Sequence, residues 1–236
     1  MASKKVVIIT GASKGIGKAI ALNLAEDKNF VICIFGRNKQ KLKSLQKLIA
    51  KKSVISEYYI GDVADEIFVN RSIKEIKKKY NKIDILINNA GVAYFEQFVD
   101  SSLENFKTQI NTNVIGVYNF TKAVIDNMIK RKNGTIINIV SQAGKMGFSY
   151  GTAYAATKHA VMGFSKSLML EVRKHNIRVV AVCPGSVETD MINNSPIHKN
   201  IKQVLKPQDI ADIVATTINL PNRALISEID IRPTNP

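Results

Sequence analysis

Tyr154 and Lys158 stand four residues apart in the stretch "SYGTAYAATKHAV", Ser149 to Val161. On a helix, residues at i and i+4 are surface neighbours, so the phenol and the ammonium share one patch of space. A phenol titrates near pH 10 and a nearby ammonium favours its ionised form, which makes the pair a candidate proton donor and acceptor. The competing reading is an amphipathic helix with an incidental polar pair, and the surrounding residues must decide. Ser141 closes the strand-like run "NIVS" thirteen residues before Tyr154. Near the start of the chain, "TGASKGIG" sets Gly11, Gly15 and Gly17 between an apolar run and a helical pattern. A glycine-rich turn at a helix N-terminus lets backbone approach a diphosphate closely and presents unpaired N–H groups to it. The spacing here is G-x-x-x-G-x-G rather than G-x-G-x-x-G, and a mere tight turn is the alternative.

The second apolar run, "FVICIFGRN", ends on Arg37, and no Asp or Glu occurs between Asp27 and Glu57. Dinucleotide sites selective for NAD normally carry an acid at this strand end, whereas an arginine accommodates a 2′-phosphate. Lys14, inside the glycine loop, adds a second positive charge. Both cations point to NADP(H), against the simpler view that they are two more surface charges in a basic chain.

These groups need elements to hold them. Short β-branched runs at about 5–10, 30–36, 54–60, 83–88, 134–141, 177–183 and 225–231 read as strands. Helical patterns lie between them, at about 15–28, 38–52, 65–80, 102–131, 152–175 and 207–219. Such alternation predicts an α/β fold: a doubly wound, seven-stranded parallel sheet with helices on both faces. No repeat, low-complexity tract or linker divides the chain, so residues 1–236 read as one domain. Ligands of such sheets bind beyond the carboxyl ends of the strands. There the sequence places Asp62 in "GDV", suited to an adenine edge or to capping the next helix, then Asn88 to Gly91 in "NNAG" and the turn of "CPGSVETD".

Composition narrows the functional classes. The chain has 236 residues, 45% hydrophobic and 22% charged, and a mean hydropathy of −0.02. Its apolar runs fall well short of the roughly 18 residues of a membrane span, so a cytoplasmic protein is expected. Cys33 and Cys183 sit in strand-like runs as buried hydrophobes, and His159, His175 and His198 show no metal-ligand spacing. The net charge of +15 comes from 27 lysines against 7 arginines, spread over helix faces. Nucleic-acid recognition favours the arginine fork, so this surface reads first as solvation.

In order along the chain, "TGASKGIG", "NNAG", "NTNVIG", "NIVS", "YAATK" and "PGSVET" make the protein resemble the short-chain dehydrogenase/reductase family over about residues 5–190. The resemblance implies a Rossmann-type sheet and a catalytic set of Asn113, Ser141, Tyr154 and Lys158. It implies cofactor contacts from Gly11, Ser13, Gly15, Ile16, Asp62, Asn88, Ala90, Gly91, Val114, Tyr154, Lys158, Pro184, Gly185, Val187 and Thr189, with Lys14 and Arg37 on the 2′-phosphate of NADP(H). Tyr154 would be the general acid/base for hydride transfer between nicotinamide and a small carbonyl or secondary alcohol. Lys158 would favour the phenolate, Ser141 would orient the carbonyl, and Asn113 would hold a water that links Lys158 to solvent. Substrate contacts are expected from "AYFEQF", from "KMGFSYG" and from a short loop at about 190–206, with Tyr94, Phe95, Met146, Phe148, Tyr150 and Met191 as lining candidates. A 3-oxoacyl-thioester reductase served by an acidic acyl carrier protein is one alternative, although the ending "ALISEIDIRPTNP" departs from the oxoacyl pattern. A non-catalytic NADP(H)-sensing protein is another. The long helices at 102–131 and 152–175 suit pairing into a homodimer or homotetramer.

Overall fold

The apolar runs assemble into β1 (Lys5–Ile9), β2 (Phe30–Gly36), β3 (Ile55–Ile60), β4 (Ile85–Asn88), β5 (Gly134–Ile139), β6 (Ile177–Pro184) and β7 (Glu228–Ile231). In this computed structural model, residues 4–193, 195, 204–221 and 223–234 are described. The strands form one sheet in the order β3-β2-β1-β4-β5-β6-β7, and every neighbouring pair is parallel. The helices are α1 (Gly15–Leu24), α2 (Lys39–Ala50), α3 (Glu66–Tyr80), α4 (Leu103–Ile110), α5 (Gly116–Arg131), α6 (Thr152–Val172), α7 (Asp190–Asn193) and α8 (Pro207–Asn219).

Side chains alternate across a strand, so each central strand feeds two cores. Val7 and Ile9 of β1 pack with Ile20, Leu42, Leu45, Ile210 and Val214 of α1, α2 and α8. Val6 and Ile8 pack on the other face with Phe68, Ile73, Phe120 and Met128 of α3 and α5. Burial on both faces explains why β1 and β2 read as unbroken apolar runs. β3 does not follow that rule. It is the edge strand, and its residues are half-buried or exposed.

After β1 the chain winds outward to β2 and β3, then returns to β4 on the other side of β1. This reversal leaves a crevice between the carboxyl ends of β1 and β4, where doubly wound sheets bind ligands.

One expected element is altered. The helix predicted over 102–131 is interrupted by a π-helical segment, Asn111–Ile115, between α4 and α5. Asn113 lies within it at 1% exposure, and the widened turn aims its amide at the loop after β4. Gly116 follows where a Cβ would lie 2.5 Å from Val63 Cγ2. The 3.6-residue apolar period continues through this break, so pattern alone does not reveal it.

Candidate active site

The crevice opens into a cleft of about 1580 Å³. Its floor is the glycine loop. Gly11 takes φ +66°, and a Cβ there would lie 2.7 Å from Ala90 Cα; one on Gly17 would lie 2.6 Å from the Gly11 carbonyl oxygen. Only glycine lets β1 and β4 approach in this way. Thr10 Oγ1 locks the approach by accepting from the backbone N–H of Asn89 (2.9 Å) and of Ala90 (3.0 Å). Asn89 Nδ2 donates to the Thr10 carbonyl at 2.9 Å.

The first turn of α1 has no side-chain cap and no acidic residue, and Gly15 and Ile16 line the cleft. The Ser13 hydroxyl is buried with no protein partner. Uncapped N–H groups and an unpaired hydroxyl beneath a side-chain-free cradle fit the diphosphate of a dinucleotide.

At the end of β2, Arg37 lies 3.8 Å from Asp62, while Lys14 Nζ donates to Asp190 Oδ2 of α7 at 2.7 Å. The Lys14 ammonium holds the Asp190 carboxyl below its usual range. Asn38 and Lys41 line the same end of the cleft and were missed in the sequence; their signal is the polar run that follows Arg37. Asp62 does not cap the next helix. Asp65 does so, accepting from the Phe68 N–H at 3.0 Å, while Asp62 Oδ1 accepts from the Ala64 N–H at 2.9 Å and closes a tight turn.

At the other end of the cleft, α6 presents Tyr154 (9% exposed) and Lys158 (6%) on one side, as the spacing predicts. Lys158 Nζ lies 5.6 Å from the centre of the Tyr154 ring and donates to the Ile139 carbonyl at 3.0 Å. Ser141 follows β5. Its hydroxyl accepts from the Ala143 N–H at 3.1 Å, and both Ser141 and Tyr154 line the cleft. Asn113 is bound on every side: Oδ1 accepts from the Val92 N–H (2.8 Å), and Nδ2 donates to the Val92 carbonyl (2.9 Å) and to Thr157 Oγ1 (3.0 Å). A Cβ added to Gly91 would lie 3.4 Å from Asn113 Oδ1 and 3.8 Å from Lys158 Nζ, so both atoms face the small space that this glycine leaves open.

The electrostatics differ from the expectation that Lys158 draws the phenol downward. Burial pushes the Tyr154 phenol up to about 12, with the Ser141 hydrogen bond pulling weakly the other way. Burial also draws the Lys158 ammonium down to about 8. Both groups have left water, and desolvation is the leading cause of each shift. At neutral pH the phenol keeps its proton and the lysine keeps its charge.

The other expected contact residues, Pro184, Gly185, Val187 and Thr189 among them, line the cleft, with three exceptions. Asn88 is buried under β4, donating to Asn138 (2.8 Å) and Thr121 (3.2 Å), and Asn89 takes its place on the wall. Val114 packs into the core beside Val117 and Val161, and Asn113 stands behind the lining. Of the substrate-wall candidates, Tyr94, Phe95, Met146, Phe148 and Met191 line the cleft and Tyr150 does not. Most of the loop expected at about 190–206, His198 included, lies outside the described residues. No group of metal-ligating side chains is found among the described residues.

Comparison with known proteins agrees with this architecture. A short chain dehydrogenase family model matches residues 5–200. The 3-oxoacyl-[acyl-carrier-protein] reductase FabG of Thermotoga maritima is 36% identical over 219 residues, covering 89% of this chain and 88% of its own. The structure of an alcohol dehydrogenase from the archaeon Thermococcus sibiricus, complexed with 5-hydroxy-NADP, superposes with a TM-score of 0.90 at 29% identity, over 98% of this chain and 97% of that one. That of ElxO with NADP bound gives 0.88 at 31% identity, over 97% of both chains. With its glycine cradle, its reversal between β1 and β4 and its Ser-Tyr-Lys wall, the chain belongs to the short-chain dehydrogenase family.

Proposed function

We propose that this oxidoreductase uses NADP(H) to interconvert a carbonyl compound and a secondary alcohol, with Tyr154 as the general acid/base. The observation that carries the reading is the Tyr154 phenol on the cleft wall beside Ser141, with Lys158 one turn along the same helix and 5.6 Å from the ring centre. Lys14, Arg37 and Lys41 would hold a 2′-phosphate, while the α1 N-terminus and Ser13 would hold the diphosphate. NADPH held there would supply the hydride for the carbonyl carbon.

In that reaction the Ser141 hydroxyl orients the carbonyl oxygen and stabilises the charge developing on it. Tyr154 delivers its proton to the same oxygen, so ketone and proton become a secondary alcohol. The Lys158 charge stabilises the phenolate left behind. A proton from solvent then returns to Tyr154 by way of Lys158 and the space beside Gly91, which Asn113 Oδ1 also faces. Lys14, paired with Asp190, becomes available to a phosphate when that exposed pair opens, at a cost of about 1 kcal/mol or less.

The Thermotoga relative supports a narrower second reading, reduction of a 3-oxoacyl thioester delivered by an acyl carrier protein. We further propose a dimer or tetramer built on α4 to α6, where Leu103, Phe106, Tyr118 and Leu170 are exposed. NADPH oxidation against a panel of aldehydes, diketones, aryl ketones and oxoacyl thioesters tests the reading. Turnover of at least one class is expected. Silence across the panel, with NADPH bound tightly, would replace it with an NADP(H)-sensing role.

A further inference from the structure

The wall beside Tyr154 is aromatic, fixed in place and poor in positive charge. Phe95 meets the Tyr154 ring edge-on, with centroids 5.7 Å apart and planes at 69°. Phe148 lies 6.1 Å from Phe95 at 56°. Two loops supply these rings, and the Glu96 N–H joins them by donating to the Tyr150 carbonyl at 3.0 Å. Tyr150 adopts φ +68° at this junction, a left-handed conformation that bulky residues avoid and that the surrounding contacts must enforce. The Phe148 ring lies directly on Gly151, where a Cβ would come within 2.2 Å of Cζ. The rings therefore form a shelf made before any substrate arrives.

Charge along the cleft is uneven. Residues 83–106 contain no lysine or arginine, in a chain where 34 of 236 residues are one or the other. Within that stretch Glu96 lines the cleft, its carboxylate held by Asn105 Nδ2 at 3.3 and 3.5 Å. Among the described residues, and apart from the buried Lys158, the cations lining the cleft are Lys14, Lys18, Arg37, Lys41 and Lys206. All five belong to other elements than the two aromatic loops: the glycine loop, α1, the chain just after β2, α2 and the start of α8.

We propose that the preferred substrate is a ketone carrying a flat apolar ring and no anionic group, with the ring seated on Phe95 and Phe148 and Glu96 selecting against negative charge. The inference rests on the reductase reading above. Offset or edge-on ring contacts add about 0.5–1.5 kcal/mol beyond the area they bury, so two rings at these angles favour an aryl over an alkyl group. Met146, half-exposed on the same wall, adapts to the ring's outer edge through its thioether. An anion brought to Glu96 meets like charge, and the stretch 83–106 that carries Glu96 offers no lysine or arginine to pair with it. The same charge pattern disfavours an acidic carrier protein docked at this mouth.

Three acetophenones with para-methyl, para-trimethylammonium or para-carboxylate groups test this, by calorimetric binding to the NADP⁺-loaded enzyme and by kcat/KM with NADPH. The methyl and trimethylammonium ketones should exceed the carboxylate by about ten-fold or more, with the gap shrinking as salt is added. Glu96→Gln should narrow the cation-to-anion ratio several-fold, and Glu96→Lys should reverse it; circular dichroism and thermal melting show that both variants fold. Preference for the carboxylate, a ratio unmoved by either variant, or equal handling of a straight-chain ketone of the same size would overturn the inference. Binding in the expected order, with no carbonyl of any class oxidising NADPH, would leave the shelf standing and overturn the reductase reading instead.

Discussion

Tyr154 and Lys158 pull chemistry and stability in opposite directions. Burial holds the Lys158 ammonium at about 8 against its ordinary 10.5, a difference of about 3 kcal/mol at about 1.4 per pH unit. Between those two values the unfolded chain binds a proton that the native state has released, so stability rises with pH across that window. Lys158→Met should then raise stability at pH 7 by about 1–2 kcal/mol, since the Ile139 carbonyl loses its donor and offsets part of the gain. Denaturant midpoints check this, and NADPH turnover should vanish in the same variant. Reduction should also slow as pH rises past about 8, where the charge that stabilises the phenolate is lost; a profile flat to pH 10 would speak against that role. The meeting of Tyr154, Lys158 and Ser141 on one cleft wall was legible because side-chain type and spacing carry it. Their protonation was not, because desolvation depends on what covers a residue, and spacing is silent about cover.

Elements decide how far those groups can be trusted to hold position. The π-helical turn at Asn111–Ile115 carries an asparagine that satisfies both backbone groups of Val92 and reaches Thr157 on α6. Asn113→Ala leaves buried polar groups unpaired at about 1–3 kcal/mol each, so the midpoint of thermal unfolding should fall by several degrees along with activity. Gly91→Ala separates proton return from folding, because its Cβ meets only ordinary contacts at 3.4 and 3.8 Å. Turnover should drop about ten-fold or more with the melting temperature nearly unchanged. The Lys14–Asp190 pair links the glycine loop to α7; Asp190→Asn should lower the KM for NADPH about two- to three-fold, the scale of an exposed ion pair. The sequence marked "NTNVIG" as a motif but gave no sign of the π turn, which carries Asn113 into its long-range bonds with Val92. Helix ends also differ from the sequence pattern: α1 stops at Leu24 rather than near residue 28, and α6 stops at Val172, followed by one 3₁₀ turn.

For the whole molecule, the seven strands and their parallel, doubly wound arrangement follow from where the apolar runs fall and from the right hand of their crossovers, and these were readable from the chain, whereas the strand order came from the structure. Charge distribution was not. A net +15 describes the exterior, yet the mouth beside Tyr154 has an acid and two aromatic rings where the rest of the surface has lysine. No helix among the described residues is long and apolar enough to cross a membrane. Exposed Leu103, Tyr118 and Leu170 should give a particle at least twice the chain mass of 26.1 kDa in light scattering, with Tyr118→Glu reducing it. Hydride transfer assisted by one protonated phenol is best tested by single-turnover NADPH oxidation, comparing wild type with Tyr154→Phe under a saturating carbonyl substrate. The variant should bind NADPH as tightly as wild type and oxidise it at less than a hundredth of the rate. A rate above about a tenth of wild type would assign the proton to another group.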